Sequence, residues 1–130
     1  MHTLTAKRPT ILIVEDHAAT RNAMVALLDG ALPWCRLVAV DTAEAALALC
    51  AQALPTVVIM DISLPGMNGI EATQQIRALF PHAQVVMHSS NDMQVFRDES
   101  AAAGACAFVS KGRGSCDLVS AVSRLLPINL

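Results

Sequence analysis

The stretch Val57-Val58-Ile59-Met60-Asp61-Ile62-Ser63-Leu64-Pro65-Gly66-Met67-Asn68-Gly69 decides the fold. Its first four residues are apolar without alternation, which is typical of a strand buried on both faces of a parallel sheet. The carboxylate of Asp61 ends this run, and Pro65-Gly66 and Asn68-Gly69 predict a tight loop after it. An acid at the carboxyl end of a central strand lies where open α/β sheets keep their ligand crevice. Asp61 is therefore predicted to be a nucleophile that accepts a phosphoryl group.

The rest of the chain alternates five predicted strands with five predicted helices. The strands are residues 11–14, 37–40, 57–60, 85–88 and 105–110, and the helices are residues 17–28, 41–53, 69–80, 93–103 and 115–126. Right-handed crossovers then give one parallel sheet with helices on both faces. Asp41 with Glu44 resembles a capping box for the second helix. The polar run 89–92 predicts the start of the fourth helix, and Gly104 its left-handed end.

Composition favours a single α/β domain and argues against a nucleic-acid-binding surface. The 130 residues are 54% apolar, 15% charged and 3% aromatic, with a net charge of −2 and no basic run longer than Lys7-Arg8. The four cysteines lack C-x-x-C spacing, so we expect reduced thiols in a cytosolic protein. No apolar segment has the length of a signal-peptide core or a membrane span. Residues 1–9 are expected to form a flexible lead-in.

Polar groups end four of the predicted strands. Glu15-Asp16 follow the first strand, Asp61 the third, Ser89 the fourth and Lys111 the fifth. In a parallel sheet these ends meet at one edge. Three carboxylates there repel one another, and a Mg²⁺ ion with its preference for oxygen ligands would resolve the conflict. Asp61 could then attack phosphorus while Mg²⁺ and Lys111 neutralise the phosphoryl oxygens and Ser89 donates a hydrogen bond.

Each of these residues also has an ordinary structural interpretation. Asp16 alone could cap the first helix, Ser89 alone is more often a helix cap, and Lys111 alone is usually a solvated loop lysine. His17 and His88 are expected to have solvent or packing roles. The functional hypothesis depends on convergence at one sheet edge, because no single residue carries it.

With these residues in order, the sequence resembles the receiver domains of two-component response regulators. The resemblance spans residues 10–126 and includes Met-Asp-Ile-Ser-Leu-Pro-Gly-Met-Asn-Gly-Ile-Glu around Asp61. It implies a flavodoxin-like doubly wound sheet of strand order 2-1-3-4-5. It also implies Mg²⁺-dependent phosphotransfer from a histidine kinase to Asp61.

The resemblance also assigns roles to single residues. Asp16 and Asp61 would bind Mg²⁺ through their side chains, Ser63 through its backbone carbonyl, and Glu15 mainly through metal-bound water. Ser89 takes the place of the switch hydroxyl, with Lys111 as the phosphate-binding lysine. Phe108 takes the place of a switch aromatic that is often Tyr, and a fixed core Phe is the alternative. Gly112 replaces a common Pro, which leaves the usual cis peptide after Lys111 open.

Details of the third helix are most similar to receivers of NarL/LuxR-type transcription regulators, which carry a DNA-binding domain after the receiver. Residues 1–130 are accordingly expected to be a receiver excised from such a protein, with residues 127–130 starting a linker. It would contact DNA only through that further domain, could dimerise on phosphorylation, and would not contact a membrane. The alternative is a complete single-domain regulator.

Two functions of other classes remain open. An aspartyl-phosphate phosphatase would have a second Asp two residues after the nucleophile, where this chain has Ser63. A flavodoxin-like cofactor binder would have a phosphate-binding loop after the first strand, where Glu15-Asp16 would repel a phosphate. The chain is therefore expected not to act as an enzyme beyond its own phosphotransfer and dephosphorylation.

Overall fold

A computed structural model describes residues 8–127. The described chain alternates strands and helices from end to end, as the apolar runs predict. The strands are β1 (Thr10–Val14), β2 (Arg36–Val40), β3 (Val57–Met60), β4 (Gln84–Ser89) and β5 (Ala107–Ser110). The α-helices are α1 (Ala18–Ala31), α2 (Ala43–Ala53), α3 (Gly69–Leu79), α4 (Gln94–Ala103) and α5 (Ser115–Ser123), with a 3₁₀ turn at Lys111–Arg113.

The strands form one parallel sheet in the order β2-β1-β3-β4-β5, which confirms the predicted topology. β3 lies at its centre and is buried along its whole length, as its unbroken apolar sequence indicates. The register aligns Val14 with both Val40 and Met60, Met60 with Met87, and Met87 with Phe108. These five residues form the last complete row of the sheet before the strands end.

Two apolar layers cover the two faces of the sheet. Residues such as Leu12, Val58 and Val85 alternate along their strands and face α2 and α3, which contribute Ala46 and Ile76. On the opposite face, Ile11, Ile13, Val57, Ile59 and Val86 pack against Leu28 of α1 and Val122 of α5. Burial of both faces fixes the sheet and hence the positions of the residues that follow each strand.

Several predicted boundaries are wrong, each for a local reason. Thr42, not Asp41, is the N-cap of α2, and its hydroxyl accepts a hydrogen bond from the Ala45 amide at 3.1 Å. β2 ends at Val40, as predicted, and Asp41 lies exposed between the strand and the cap. α1 continues through Gly30 to Ala31, three residues beyond the predicted end. A buried face decides where such a helix ends, and one glycine costs only about 1 kcal/mol.

The start of α4 also differs from the prediction. Its N-cap is Met93, and no side chain within the described residues caps it. The polar run forms turns instead: the Ser89 hydroxyl accepts from the Asn91 amide at 3.1 Å, and the Asn91 side chain accepts from the Met93 amide at 3.4 Å. Serine and asparagine side chains make such local bonds in competition with capping. Gly104 does end the helix in the left-handed conformation, as predicted, with φ of 107°.

The amino-terminal edge of the sheet is closed by backbone bonds and arginines. Arg8 donates to the carbonyl oxygens of Pro33, Trp34 and Cys35 in the loop between α1 and β2. Arg77 of α3 donates to the carbonyls of Pro81 and Ala83 at 2.8 and 2.7 Å. No helix among residues 8–127 is long and apolar enough to cross a membrane. The predicted flexible lead-in, apart from residues 8 and 9, and residues 128–130 of the predicted linker lie outside the described residues, so these expectations stay predictions.

Candidate functional site

Glu15 and Asp61 lie side by side at the carboxyl edge of the sheet. Each directly follows a member of the last complete row, Val14 in β1 and Met60 in β3. The parallel ladder continues one step further, since the Asp61 amide donates to the Val14 carbonyl at 3.1 Å. Strand pairing therefore fixes both backbones. Their side chains are nearly inaccessible, with residue exposures of 1% for Glu15 and 5% for Asp61.

Asp16 completes a cluster of three carboxylates. One oxygen each from Glu15, Asp16 and Asp61 lies within 4.8 Å of the others, and Asp16 alone of the three is exposed. Hard carboxylate oxygens with one side open to water are the donor set that Mg²⁺ prefers, because it keeps several water ligands. The cluster therefore fits a Mg²⁺ ion. Three of the five residues that the sequence predicted would converge, Glu15, Asp16 and Asp61, therefore lie together at this sheet edge.

Lys111 reaches this cluster from β5, across β4. Its Nζ donates to Glu15 Oε1 at 2.7 Å and to Asp61 Oδ2 at 3.1 Å. Its side chain is 23% exposed, so it is held in the site and is not the freely solvated lysine of the alternative interpretation. The long aliphatic stem of lysine allows this reach while the ammonium group stays among the acids. The Lys111–Gly112 peptide is trans, as are the other peptide bonds of the described residues.

The three buried groups have different protonation tendencies. Burial and the charge of Glu15 raise the pKa of Asp61, against the opposing effect of Lys111. For Glu15, burial is outweighed by bonds from Lys111 and the His17 amide, so its pKa is lowered. Burial acts to lower the pKa of Lys111, but its two carboxylate partners raise it. The site thus shifts the two carboxyl pKa values in opposite directions: it favours the charged form of Glu15 and disfavours that of Asp61.

The amino terminus of α1 points into the site. The His17 amide, just before the helix, donates to Glu15 Oε2 at 3.1 Å. Arg21, one turn further on, donates from Nη1 to the carbonyl oxygen of Glu15 at 2.9 Å and to that of Asp16 at 3.4 Å. The sequence interpretation missed Arg21. The available signal was a cation close to a helix amino terminus, where the helix dipole disfavours positive charge.

The loop after β3 holds the other oxygen of Asp61. Asp61 Oδ1 accepts a hydrogen bond from the Ser63 amide at 3.3 Å, which places Ser63 beside the cluster. The predicted metal-binding role of its carbonyl stays a prediction. Gly69 opens α3 against this loop: a Cβ there would lie 1.9 Å from the Asp61 carbonyl oxygen. The chain therefore needs glycine at this close approach.

Ser89 and Phe108 lie on the strands beyond Asp61. Ser89 ends β4, is buried, and pairs with Ser110 of β5. Phe108 is half-buried beside α4, and the guanidinium carbon of Arg97 lies 4.6 Å from its ring centroid. Phe108 thus belongs to the α4 side of the sheet, and the switch roles predicted for these two residues stay predictions.

The two histidines near the site differ in their surroundings. His17 is exposed, in line with the expected solvent role. His88 lies on β4 with a buried Nδ1 that has no hydrogen-bond partner among the described residues. Burial, with the charge of Lys111, lowers the pKa of His88 to about 4. Its imidazole is therefore neutral at pH 7 and acts as a packing group.

Comparison with known proteins identifies the family. Residues 11–123 match the family described as response regulator receiver domain, so the chain belongs to the receiver-domain family of two-component response regulators. It is 33% identical over 116 residues to the transcriptional activator protein ExaE of Pseudomonas putida, covering 89% of this chain and 54% of that protein. The chain spans about half the length of the curated relatives it matches.

Solved structures agree with this assignment. A two-component response regulator of the LuxR family from Aurantimonas superposes with a TM-score of 0.85 at 30% identity, covering 92% of this chain and 85% of that one. TrrA of Thermotoga maritima, solved in complex with Mg²⁺-BeF, superposes with a TM-score of 0.82 at 25% identity, covering 91% and 99%. The flavodoxin-like fold and the similarity to LuxR-type regulators are thereby confirmed.

Proposed function

We propose that this receiver domain is a signalling switch that is phosphorylated on Asp61 in a Mg²⁺-dependent reaction, with a histidine kinase as donor. The observation that carries the proposal is the arrangement around Asp61. A buried carboxylate lies beside two further acids and within hydrogen-bond distance of one ammonium group. A purely structural ion pair would not need three acids for one lysine, nor leave one of them exposed to solvent.

Asp61, Lys111 and Ser63 each have a separate role in the proposed reaction. An Asp61 carboxylate oxygen attacks the phosphorus atom of the donor, a new O–P bond forms, and the bond to the leaving group breaks with its electron pair. Lys111 faces the incoming group and offers a positive charge to its oxygens, which stabilises the charge spread in the transition state. The Ser63 amide orients the Asp61 carboxylate.

Glu15, Asp16 and Asp61 would hold the metal ion, with the Ser63 carbonyl as a further ligand. Bound Mg²⁺ supplies charge neutralisation to the phosphoryl oxygens. The complex of TrrA with Mg²⁺-BeF supports this assignment, because TrrA shares the fold and covers nearly the whole described chain.

Phosphorylation would then bias the segment that follows Ser89. The Ser89 hydroxyl accepts a bond from the Asn91 amide but keeps its own proton free to donate to a phosphoryl oxygen. A shift of Ser89 toward Asp61 would strain that bond and move the loop before α4, and with it the surface formed by α4 and Phe108.

The chain would act within a larger cytoplasmic transcription regulator. The proposed arrangement is a receiver followed by a DNA-binding domain, as the length and name of ExaE support. DNA would be contacted through that domain, and phosphorylation could promote a homodimer. A single-domain regulator acting through protein contacts is the second arrangement. In either arrangement the receiver would turn over no external substrate.

The test is phosphorylation by a small-molecule donor. The purified chain is incubated with acetyl phosphate and MgCl₂, and its intact mass is measured. We expect the mass of one added phosphoryl group in the wild type, none in Asp61→Asn, and none when EDTA replaces Mg²⁺. Asp41→Asn is the matched control, because Asp41 also directly follows a strand, β2, but is exposed, whereas Lys111 forms its ion pairs with Glu15 and Asp61.

Two outcomes would contradict the proposal. An adduct that survives Asp61→Asn would place the phosphoryl group elsewhere, and absence of any adduct in the wild type would remove the phosphoacceptor function. Rapid multiple-turnover hydrolysis of phosphate esters would favour the phosphatase alternative. Ser63 stands where such an enzyme needs a second acid, so we expect turnover to be slow.

A further inference from the structure

Arg21 makes contacts that helix formation does not require. Its guanidinium lies one turn inside α1, where the helix dipole disfavours a cation. It points back out of the helix and donates to the Glu15 carbonyl oxygen at 2.9 Å and to the Asp16 carbonyl oxygen at 3.4 Å. Arg21 therefore fastens the acidic pair to the first turns of α1.

The backbone of this acidic pair has few other anchors. The backbone amide of Glu15 donates to the Val40 carbonyl oxygen at 3.0 Å. Asp16 follows it outside the strand, is exposed, and precedes a helix whose first turn contains no acidic residue and has no side-chain cap among the described residues. On the other side of residue 16, the His17 amide donates to Glu15 Oε2 at 3.1 Å. Rotation of the backbone between these two bonds would carry the Asp16 carboxylate away from Glu15 and Asp61.

We propose that Arg21 is a positioning residue for the metal site: its two backbone hydrogen bonds set the geometry of Glu15 and Asp16 and thereby align their carboxylates for Mg²⁺. The inference rests on the proposed Mg²⁺-dependent function. Groups that orient metal ligands commonly change metal affinity by tenfold or more when they are removed. Arg21 would act through the backbone of two ligands and would not touch the ion itself.

The direction in which Mg²⁺ affinity changes when Arg21 is removed distinguishes a positioning role from a purely electrostatic one. The guanidinium is a positive charge beside a cation site, so its removal on electrostatic grounds alone would strengthen Mg²⁺ binding. Positioning predicts the opposite, because a ligand set that has lost its alignment binds more weakly. Arg21→Lys keeps the charge and a single donor group, and should fall between the wild type and Arg21→Ala.

The experiment measures Mg²⁺ binding by isothermal titration calorimetry at pH 7 in the wild type, Arg21→Ala, Arg21→Lys and Asn22→Ala. Asn22 is the exposed neighbour of Arg21 on the same helix and serves as the matched control. We expect Arg21→Ala to weaken binding about tenfold, Arg21→Lys to recover part of the loss, and Asn22→Ala to match the wild type. Urea unfolding without Mg²⁺ establishes that each variant is folded.

A second readout separates positioning from general destabilisation. The rate of Asp61 phosphorylation by acetyl phosphate is followed against Mg²⁺ concentration. Arg21→Ala should shift the half-saturating Mg²⁺ concentration upward by about the same factor while the rate at saturating Mg²⁺ stays within about twofold. If Arg21→Ala does not fold, the same shift in Arg21→Lys decides the question.

The outcomes separate the two proposals. Unchanged or tighter Mg²⁺ binding in Arg21→Ala would overturn the positioning role and leave Asp61 phosphorylation intact. A wild type that neither binds Mg²⁺ nor becomes phosphorylated would overturn the proposed function, and the role of Arg21 with it.

Discussion

The two edges of the sheet have the same backbone geometry but opposite chemistry. At the amino edge, the residue before each strand is uncharged: Pro9, Cys35, Thr56, Ala83 and Cys106. Backbone amides there donate to neighbouring carbonyls, as Thr56 does to Thr10 at 2.9 Å. At the carboxyl edge, two nearly inaccessible carboxylates and a partly buried ammonium group are packed together.

Buried charge is costly, and a buried ion pair is weak evidence for stability. At the amino edge, the charged side chains of Arg8 and Arg77 donate to neutral backbone carbonyls. A cluster of buried opposite charges is therefore not required to close an edge of this sheet. The difference teaches that the carboxyl edge is maintained for its chemistry. Variants at the amino edge should therefore change stability alone, whereas variants at the carboxyl edge should change both stability and the phosphorylation of Asp61.

Removal of Lys111 is expected to have the largest effect. Lys111→Met leaves Glu15 and Asp61 buried without a positive partner, which should destabilise the fold by about 3 kcal/mol. The amino-edge counterpart is Arg77→Met, which loses two bonds to neutral carbonyls and should cost about 1–2 kcal/mol. Urea unfolding at pH 7 measures both. Equal losses would show that the two edges do not differ in this way.

Two glycine-to-alanine substitutions, one at each edge of the sheet, compare how closely the two edges are packed. In Gly69→Ala the new Cβ meets the Asp61 backbone, so the loop after β3 must move, at a cost of about 2–3 kcal/mol. In Gly104→Ala the new Cβ would lie 2.8 Å from the Cγ of Arg77, and residue 104 has the left-handed conformation that disfavours alanine. We expect a cost of about 1–2 kcal/mol.

Phosphorylation distinguishes these two variants better than stability does. Gly69→Ala should slow acetyl phosphate-dependent labelling because it displaces Asp61, whereas Gly104→Ala should leave the labelling rate near that of the wild type. Thermal unfolding measures the stability of both variants, and intact-mass measurements over time give their labelling rates. Normal labelling in Gly69→Ala would show that the loop tolerates the methyl group without moving the acid.

Neutralising Asp61 should stabilise the unphosphorylated protein. The pKa of Asp61 is raised by burial and by Glu15, so the wild type loses stability as pH rises from about 4 through the folded-state pKa. Asp61→Asn lacks this loss and should be more stable by about 1 kcal/mol at pH 7. Chemical unfolding from pH 4 to pH 8 tests the sign: the gain should shrink toward the acid end.

The smallest expected effect lies at the amino edge. Leu54 ends α2 in the left-handed conformation with φ of 48° and is 65% exposed. Leu54→Gly removes that strain with little loss of buried apolar surface, and should stabilise the protein by about 0.5 kcal/mol. Phosphorylation should not change. A clear loss of stability would mean that the leucine side chain contributes packing at this edge.

The convergence of polar residues at one edge could be predicted from the apolar runs, whereas the strand order came from the resemblance to receiver domains. Unbroken runs locate β1 and β3, and parallel pairing then brings Glu15 and Asp61 together whatever the helix boundaries are. The α2 cap could not be fixed in the same way, because Asp41 and Thr42 are adjacent candidates. Both follow the correctly predicted end of β2 at Val40, and only the bond from the Ala45 amide to the Thr42 hydroxyl decides between them.

The main feature that the sequence did not reveal is how far the Lys111 side chain extends. The prediction placed Lys111 near the phosphoryl oxygens and Glu15 near metal-bound water, but not the direct 2.7 Å bond between them. That bond depends on Lys111 crossing β4, which only three-dimensional distances show. Arg21 was missed although its place near a helix amino terminus is visible in the sequence, because its partners are backbone carbonyls, which the sequence does not identify.

The position of Trp34 has a practical consequence for spectroscopy. It is the single tryptophan of a chain without tyrosine, and it lies in the loop before β2, at the edge of the sheet remote from Asp61, packed against the α1 and α5 side of the core. Intrinsic fluorescence of this protein should therefore report loss of the folded core. It should respond little to magnesium or to phosphoryl transfer.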